Sequence, residues 1–468
     1  MQGVDSRRWY ALWVILLPTL LISLNTYMIQ VALPLMQNRL NASFSEAQLI
    51  VTGFSLGLAV ALIISGKLGD IYGRKRMLII GVSGFTIMAV LGGLTSDPTL
   101  LIVIRIVQGM AAALVQPQVL SILQVSFLQK EKGLVFGIYG AMIGIGFAFG
   151  FILGGTIVNW NPFDLGWRTV FFFNVPFGLL VLLLMPIVPE TRAEQTHSIN
   201  WTGSILLLMG LFLLIYPLSE GQKQGWPLWI SGCLIIALFV LFTFVWVENR
   251  KGKQGNGPLV DLSIFRHRTF SIGLATVLVL YLGMFSFFFV LSYYMQFGLH
   301  YNVQDTSLVF LAIGIGFFLT SLISSRMVRR WGMSVLKIGA LMMGCSSLLL
   351  IWELNVDATH LLGARNILIL LIYGFGLGMA TTPLVNVTLS SVPARITGTG
   401  SGLITTFMYL ANSLGVALIG ILFSTSLKHS LLEADLSDYV RAFSFSLAAI
   451  GGLAFTGFVC LCFLRERK

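Results

Sequence analysis

Charge is what this 468-residue chain has least of. Asp, Glu, Lys and Arg together make up 10% of it, whereas 56% is apolar and the mean hydropathy is +0.89. Soluble domains carry about a quarter charged residues, so a soluble enzyme is excluded. Disorder is excluded as well, because it requires low hydrophobicity. Cysteine is scarce too. Cys233, Cys345, Cys460 and Cys462 all sit in apolar runs without a C-x-x-C spacing, which leaves no disulfide framework. The two Gly-Lys pairs are followed by Leu68 and Gln254, so no phosphate-binding G-x-x-x-x-G-K-[ST] loop exists and ATP hydrolysis within the chain is excluded. H-E-x-x-H is absent. No enzyme, cofactor or metal is expected.

What is present is apolar sequence in helix-length runs. A spanning helix needs ~20 apolar residues. Fourteen such segments are expected near 10–30, 47–66, 77–95, 99–121, 134–158, 168–188, 201–219, 227–247, 270–291, 306–325, 334–352, 364–384, 397–423 and 441–464. The first is longer than a signal-peptide core and lacks a small-residue cleavage site, so it is expected to remain as a span. An even count places both termini on one side. With that side cytoplasmic, 22 of the 29 Lys and Arg residues fall inside, 6 fall outside, and Arg105 alone lies within a span. The bias follows the positive-inside rule. It also accounts for the net charge of +11 without nucleic acid, because no basic stripe is interleaved with aromatics. The expected setting is the inner or plasma membrane, with the lipid bilayer and a small-molecule substrate as partners, and possible protons as coupling ions.

Longer inside segments at 189–200 and 248–269 bracket spans seven and eight. A first bundle over 1–188, two additional helices with linkers over 189–269 and a second bundle over 270–468 are therefore expected. The bundles resemble each other. GKLGDIYGRKRML after span two and SRMVRRWGMSVL after span ten are both basic and centre on an aromatic–Gly pair. A shift of 265 residues superposes Gly133, Gly137, Gly150 and Gly155 on Gly398, Gly402, Gly415 and Gly420, and Lys130 on Arg395. Repeated halves are a common plan of secondary transporters.

The most specific motif is Gly66 to Arg76. Gly66 and Gly73 are expected to permit tight turns, Asp70 to pair with a guanidinium or a helix N-terminus, and Arg74 and Lys75, with Arg76, to face headgroups. Arg105 costs at least ~2.5–3.5 kcal/mol within a span and is expected to face a cavity or a partner; Gln108, one turn on, is placed to orient it. Gly146, Gly150, Gly154 and Gly155 are spaced for close helix packing.

The basic motif resembles the loop signature of the major facilitator superfamily, and fourteen spans resemble its drug:proton antiporter branch. RIVQG (Arg105 to Gly109) is similar to that branch's fourth-helix motif and GFAFGFILGG (Gly146 to Gly155) to its fifth-helix motif. WRTVFFFNVPFG (Trp167 to Gly178) and PLVDLSIFRHRTF (Pro258 to Phe270) are similar to its sixth helix and the entry to its ninth. The resemblance implies an all-α membrane protein of the major facilitator fold, two six-helix bundles plus two additional central helices. It implies export of amphipathic compounds by alternating access with proton antiport, and a part for Arg105 in proton coupling. Two positions depart from the pattern. Phe151 stands where the fifth-helix motif usually has Pro. LNTYMIQVALP puts Asn25 and Tyr27 where the first span often has Asp and Thr.

No other span supplies the missing acid. All eighteen carboxylates and all five histidines fall in loops or at span edges, Asp70, Glu46, Glu220, Asp305 and Glu353 being the edge candidates. The expected cavity lining is polar but uncharged: Asn25, Gln30, Gln116, Gln118, Gln124, Tyr293, Tyr294, Gln296, Asn386, Tyr409 and Asn412, with Pro117 and Pro383 interrupting helices beside them. Neutral or anionic substrates are expected to suit such a cavity better than dications. Alternatives on the same fold are a uniporter or anion-coupled exporter of metabolites such as siderophores, in which Arg105 binds substrate, or a transport-dead membrane sensor.

Overall fold

In the computed structural model the residues described are 7–192, 200–221, 224–253, 262–390, 392, 397–427 and 429–464. Among them are fourteen helices long and apolar enough to cross a membrane. They are α1 (Arg7–Arg39), α2 (Phe44–Tyr72), α3 (Arg74–Leu94), α4 (Pro98–Ser126), α5 (Gln129–Trp160), α6 (Gly166–Ile187), α7 (Trp201–Gly221), α8 (Leu228–Lys253), α9 (Arg268–Gly298), α10 (Val303–Trp331), α11 (Ser334–Val356), α12 (Ala364–Leu389), α13 (Thr397–Ser426) and α14 (Leu436–Phe463). Most outrun the expected spans by a turn or more, because polar residues at their ends continue the backbone ladder beyond the apolar run.

The ends are set by local chemistry. Ser43 and Glu46 form a capping box on α2. Asp97 caps α4 ahead of Pro98, Asn302 caps α10, and Asp435 caps α14. Each satisfies amides that the first helical turn leaves unpaired. One expectation is corrected here. The basic motif is not a loop: Gly66 to Tyr72 continue α2, and only Gly73 turns the chain, at φ +104°. Gly66 is an ordinary helix-interior glycine, with Pro117 Cβ 3.9 Å from where its own Cβ would be. Gly332 turns α10 into α11 in the same way, at φ +60°. Pro117 is a second correction, since α4 runs through it, while Pro383 does interrupt α12, between Thr381 and Leu384.

Helices α1–α6 and α9–α14 pack as two six-helix bundles with matching neighbours. In the first, α1 lies on α5, α2 and α3 lie on α4, and α3 lies on α6. In the second, α9 lies on α13, α10 and α11 on α12, and α11 on α14. The bundles meet along two seams, α5 against α10 and α13 against α2. The additional hairpin α7–α8 rests on α2 and touches α13 through α7. The 265-residue repeat is visible in these contacts. Gly150 packs on Tyr27 and Leu24 of α1, and Gly415 on Leu282 and Ser286 of α9. Gly155 meets Ser307 of α10, and Gly420 meets Gln48 of α2. The remainder of the superposition, Arg395 and the side chains at 130, 133 and 398, lies outside what is described.

Closest approach occurs where α2 crosses α4. A Cβ on Gly109 would collide with the Phe54 carbonyl, and one on Gly57 with that of Ile106. Overpacking costs ~1–3 kcal/mol, and here backbone faces backbone, so relief requires moving a helix. Gly109→Ala is expected to lower the melting temperature in detergent by several degrees. Gly452→Ala, whose new Cβ meets nothing within 4 Å, is expected to leave it unchanged. Equal melting of the two variants would contradict this crossing.

Candidate functional site: the chamber between the bundles

Both seams close at one end and open at the other. Call the basic end the one at which α1 begins and α2 turns into α3. On α5, Gly155 and Gly137 are 18 residues apart, five helical turns, and so share a face. Far from the basic end, a Cβ on Gly155 would collide with Ser307 of α10. Further along the seam, Gly144 would lie 3.9 Å from Ser321, and Gly140 and Gly137 would meet nothing within 4 Å. The second seam repeats the pattern: Gly420 would collide with Gln48, and Gly402, again 18 residues away, would meet nothing. The bundles therefore splay toward the basic end.

The closed end is held by uncharged groups. From α1, Gln30 donates to the Phe285 carbonyl (3.0 Å), and the Gln37 amide oxygen accepts from Tyr293. From α9, Ser292 and Gln296 donate to the carbonyls of Gln30 (3.2 Å) and Val31 (2.8 Å). Along α2, Gln48, Thr52 and Ser55 lie on one face and meet α13. Gln48 donates to the Val416 carbonyl (3.2 Å), Ser413 to the Thr52 carbonyl (3.1 Å) and Asn412 to the Ser55 hydroxyl (2.8 Å). Aromatic rings fill the α5–α10 seam. Phe151, fully buried, packs on Phe288 and Phe310 at 4.9 and 4.6 Å between centroids, and Phe147 on Phe317 at 4.4 Å. The residue that replaces the motif proline is thus a seam contact.

Below this closure the splay leaves a space between the bundles, here the chamber, faced by Gly137 and Gly140 of α5 and Gly402 of α13. Tyr139 of α5, Tyr281 of α9 and Tyr409 of α13 are half-buried, while Tyr27 of α1 is buried against Phe147 and Phe151 at 4.9 and 5.2 Å between centroids. Gln116 of α4 donates to the Tyr409 oxygen (2.7 Å), the described cross-bundle hydrogen bond nearest the basic end. Tyr139 and Tyr281 were not foreseen.

The residues expected to line one cavity do not meet in one place. Gln116 borders the chamber. Gln30, Gln296 and Asn412 are seam closures. Asn25 is fully buried between α1 and α6, where its amide oxygen accepts from Asn174 (3.2 Å). Gln118 donates to the Ser65 carbonyl (2.7 Å) against Gly69 of α2. Tyr294 donates to the Ala358 carbonyl (2.6 Å) inside the second bundle. Asn386 is exposed near the basic end of α12. Composition could not separate these because their chemistry is the same; helix face decides.

Arg105 does not face the chamber. It is 1% exposed, with Nε donating to the Ile50 carbonyl (3.1 Å), one terminal nitrogen donating to Gln108 (2.6 Å) and its plane 4.3 Å from the Phe54 ring centroid. Gln108 passes the bond on to the Phe85 carbonyl (3.4 Å). The guanidinium thereby joins α2, α3 and α4. In the basic motif, Arg74 bonds Asp70 (2.9 Å), and Glu190 accepts from the Lys75 amide (3.1 Å) at the start of α3. Gly146, Gly150 and Gly154 pack on α1, Gly154 with Met28 Cα 2.9 Å from its Cβ position. At the opposite end, hydrogen bonds from Thr359 hold the Asp357 carboxyl down to about 2.

Paired six-helix bundles related by an internal repeat match the plan of secondary transporters. The chain belongs to the Major Facilitator Superfamily, whose family profile matches residues 15–416. It is 33% identical over 453 residues to a probable actinorhodin transporter of Streptomyces coelicolor, covering 95% of this chain and 77% of that one. Over 428 residues it is 31% identical to the puromycin resistance protein pur8 of Streptomyces alboniger, covering 89% and 82%. Among solved structures, the inward-open xylose transporter XylE of E. coli superposes with a TM-score of 0.67 at 17% identity, over 98% of this chain and 97% of that one.

Arg105→Lys keeps the charge but loses the planar fork. It is expected to lower thermal stability in detergent nearly as far as Arg105→Met does, by ~1–3 kcal/mol, since both leave the Ile50 carbonyl and the Gln108 amide without their partner. Full stability of the Lys variant beside a weakened Met variant would show that charge alone is required.

Proposed function

We propose that this protein exports small amphipathic compounds, antibiotics among them, across the cell membrane by alternating access. In this reading the basic end is cytoplasmic. Residues 1–188 and 270–468 rock against each other, and 189–269 form the additional pair. The observation that carries it is the splay of both seams. Two glycine pairs related by the internal repeat report the same opening toward one end and the same closure at the other. Relatives named for antibiotic transport and resistance support the direction of transport and the kind of cargo. The part of the motif glycines, Asp70, Arg74 and Lys75 is to set the α2–α3 junction at the end that must close. Arg105, Gln108 and Gly109 hold the first bundle rigid as it moves.

Energy comes from proton antiport in the first reading. A second reading, gradient-independent or anion-coupled flux, is favoured by Asn25, which stands where the first span of the family often has Asp and accepts from Asn174. Flux of a compound panel into proteoliposomes, with and without an imposed pH gradient, separates the two. Antiport predicts uphill accumulation that a protonophore abolishes. Equal flux in both conditions would establish the second reading, and no flux of any compound would contradict export.

A further inference from the structure

We propose that the additional hairpin α7–α8 belongs to the first moving body: it travels with α1–α6, anchored on α2, while α13 of the second bundle shifts along it. This rests on the alternating-access reading and gives the two additional helices their part in it. The hairpin is a stiff piece. At the end opposite the basic one, Glu220 of α7 is buried, and its Oε2 accepts from Gln224 (3.3 Å). The Gln224 oxygen in turn accepts from the indole N–H of Trp229 on α8 (3.1 Å). At the basic end, Glu248 of α8 is buried and accepts from the side-chain amide of Asn200, just ahead of α7. The Asn200 oxygen accepts from Lys251 of α8 and from the Gly203 amide (3.1 Å). The helices approach so closely there that a Cβ on Gly203 would lie 2.3 Å from a Glu248 oxygen. A helix pair bonded at both ends moves as a unit.

One carboxylate decides which bundle that unit follows. Ser45, in the first turn of α2 and itself buried, donates to the Ser219 carbonyl (2.6 Å) and to Glu220 Oε1 (2.9 Å), the two acceptors sharing one proton. Gln48, one turn further along α2, reaches α13 instead. The two neighbours of α2 are thus held by bonds of different kinds. Those to α13 join uncharged amides, hydroxyls and carbonyls. The one to the hairpin ends on a carboxylate, and bonds to an ionised acceptor are roughly twice as strong as neutral ones. Pulling the hairpin off α2 would strip a buried carboxylate of a donor, at the desolvation cost of a charged group. Parting α2 from α13 breaks neutral bonds alone. The hairpin meets α13 through α7, whose buried Leu207, Leu211 and Ile215 recur at each helical turn. Such an apolar stripe packs without directional bonds, so it offers little resistance to a shift.

Nitroxide labels on the full-length protein, its native cysteines replaced by alanine, test this in lipid nanodiscs. Exposed leucines at the end opposite the basic one report each body: Leu228 the hairpin, Leu94 the first bundle and Leu432 the second. Opening is driven without a ligand by Gln30→Ala, Gln48→Ala and Gln296→Ala together, which remove three bonds of the closure. The Leu94–Leu432 distance reports whether the bundles rock. As it lengthens, the Leu228–Leu432 distance is expected to shift by ~5 Å, the scale of one helical turn, while Leu228–Leu94 holds. A Leu228–Leu94 distance that shifts while Leu228–Leu432 holds places the hairpin on the second bundle and overturns the proposal; shifts in both overturn it as well. A fixed Leu94–Leu432 distance counts against rocking, and the anchor is then read by itself in the resting protein. There Ser45→Ala is expected to broaden the Leu228–Leu94 distribution and leave Leu94–Leu432 as it was. No broadening overturns the proposal even where the bundles do not move.

Discussion

Every backbone polar group inside a bilayer must find its partner within the protein, and side chains that reach across to the other bundle's carbonyls set how this chain's two halves meet. The two bundles are fastened at one end by side-chain amides and hydroxyls bonded to backbone carbonyls and to one another. Eight such bonds cross between the bundles among the described residues, seven in the closure and Gln116–Tyr409 nearer the basic end, and none uses a charged group. At an average of ~0.6 kcal/mol each in a membrane, they sum to about 5 kcal/mol. That is the scale of energy that separates a 1:99 from a 99:1 population of two states. The fastening is strong enough to define a state and weak enough for a ligand or a gradient to undo.

Rigidity elsewhere makes a change at the seams a movement of whole bundles. Gly57 and Gly109 bring α2 and α4 into backbone contact, and Arg105 ties the same pair to α3 through Ile50, Gln108 and Phe85. A buried cation with carbonyl, amide and aromatic partners is a positional element. It needs no carboxylate, and it fixes the helix that presents Gln116 to Tyr409. Asn25, in place of an acid, meets Asn174 by an amide–amide bond, so the first bundle carries neither a mobile proton nor a negative charge at that level.

The membrane class, the fourteen spans and the internal repeat were legible because each is written in periodic features: apolar runs of helix length, basic residues on alternate turns, and glycines 265 positions apart. The motif glycines could be placed on helices but not against partners. Gly66 and Gly73 look alike in sequence, yet only Gly73 has the positive φ of a turn. The polar residues were hardest. Gln30 and Gln116 are both glutamines in apolar helices, and one bonds a carbonyl 255 positions away while the other reaches a tyrosine 293 positions away. Such partners are set by the packing of helices distant in sequence, and hydropathy carries no record of it. Phe151 shows the converse. It was conspicuous as a departure from the family's motif, and the reason for it, an aromatic contact with Phe288 and Phe310, exists only in the fold.

The central claim is that the seams open and close in opposition at the two ends. Nitroxide pairs at Gly137 and Gly402, one on each bundle toward the basic end, and at Asn38 and Leu432, which border a pocket at the opposite end, measure it directly by electron–electron distance spectroscopy in lipid nanodiscs. Addition of a transported compound is expected to shift the first pair toward shorter distances and the second toward longer ones. Distances that stay fixed at both ends, or that lengthen or shorten together, would contradict the account.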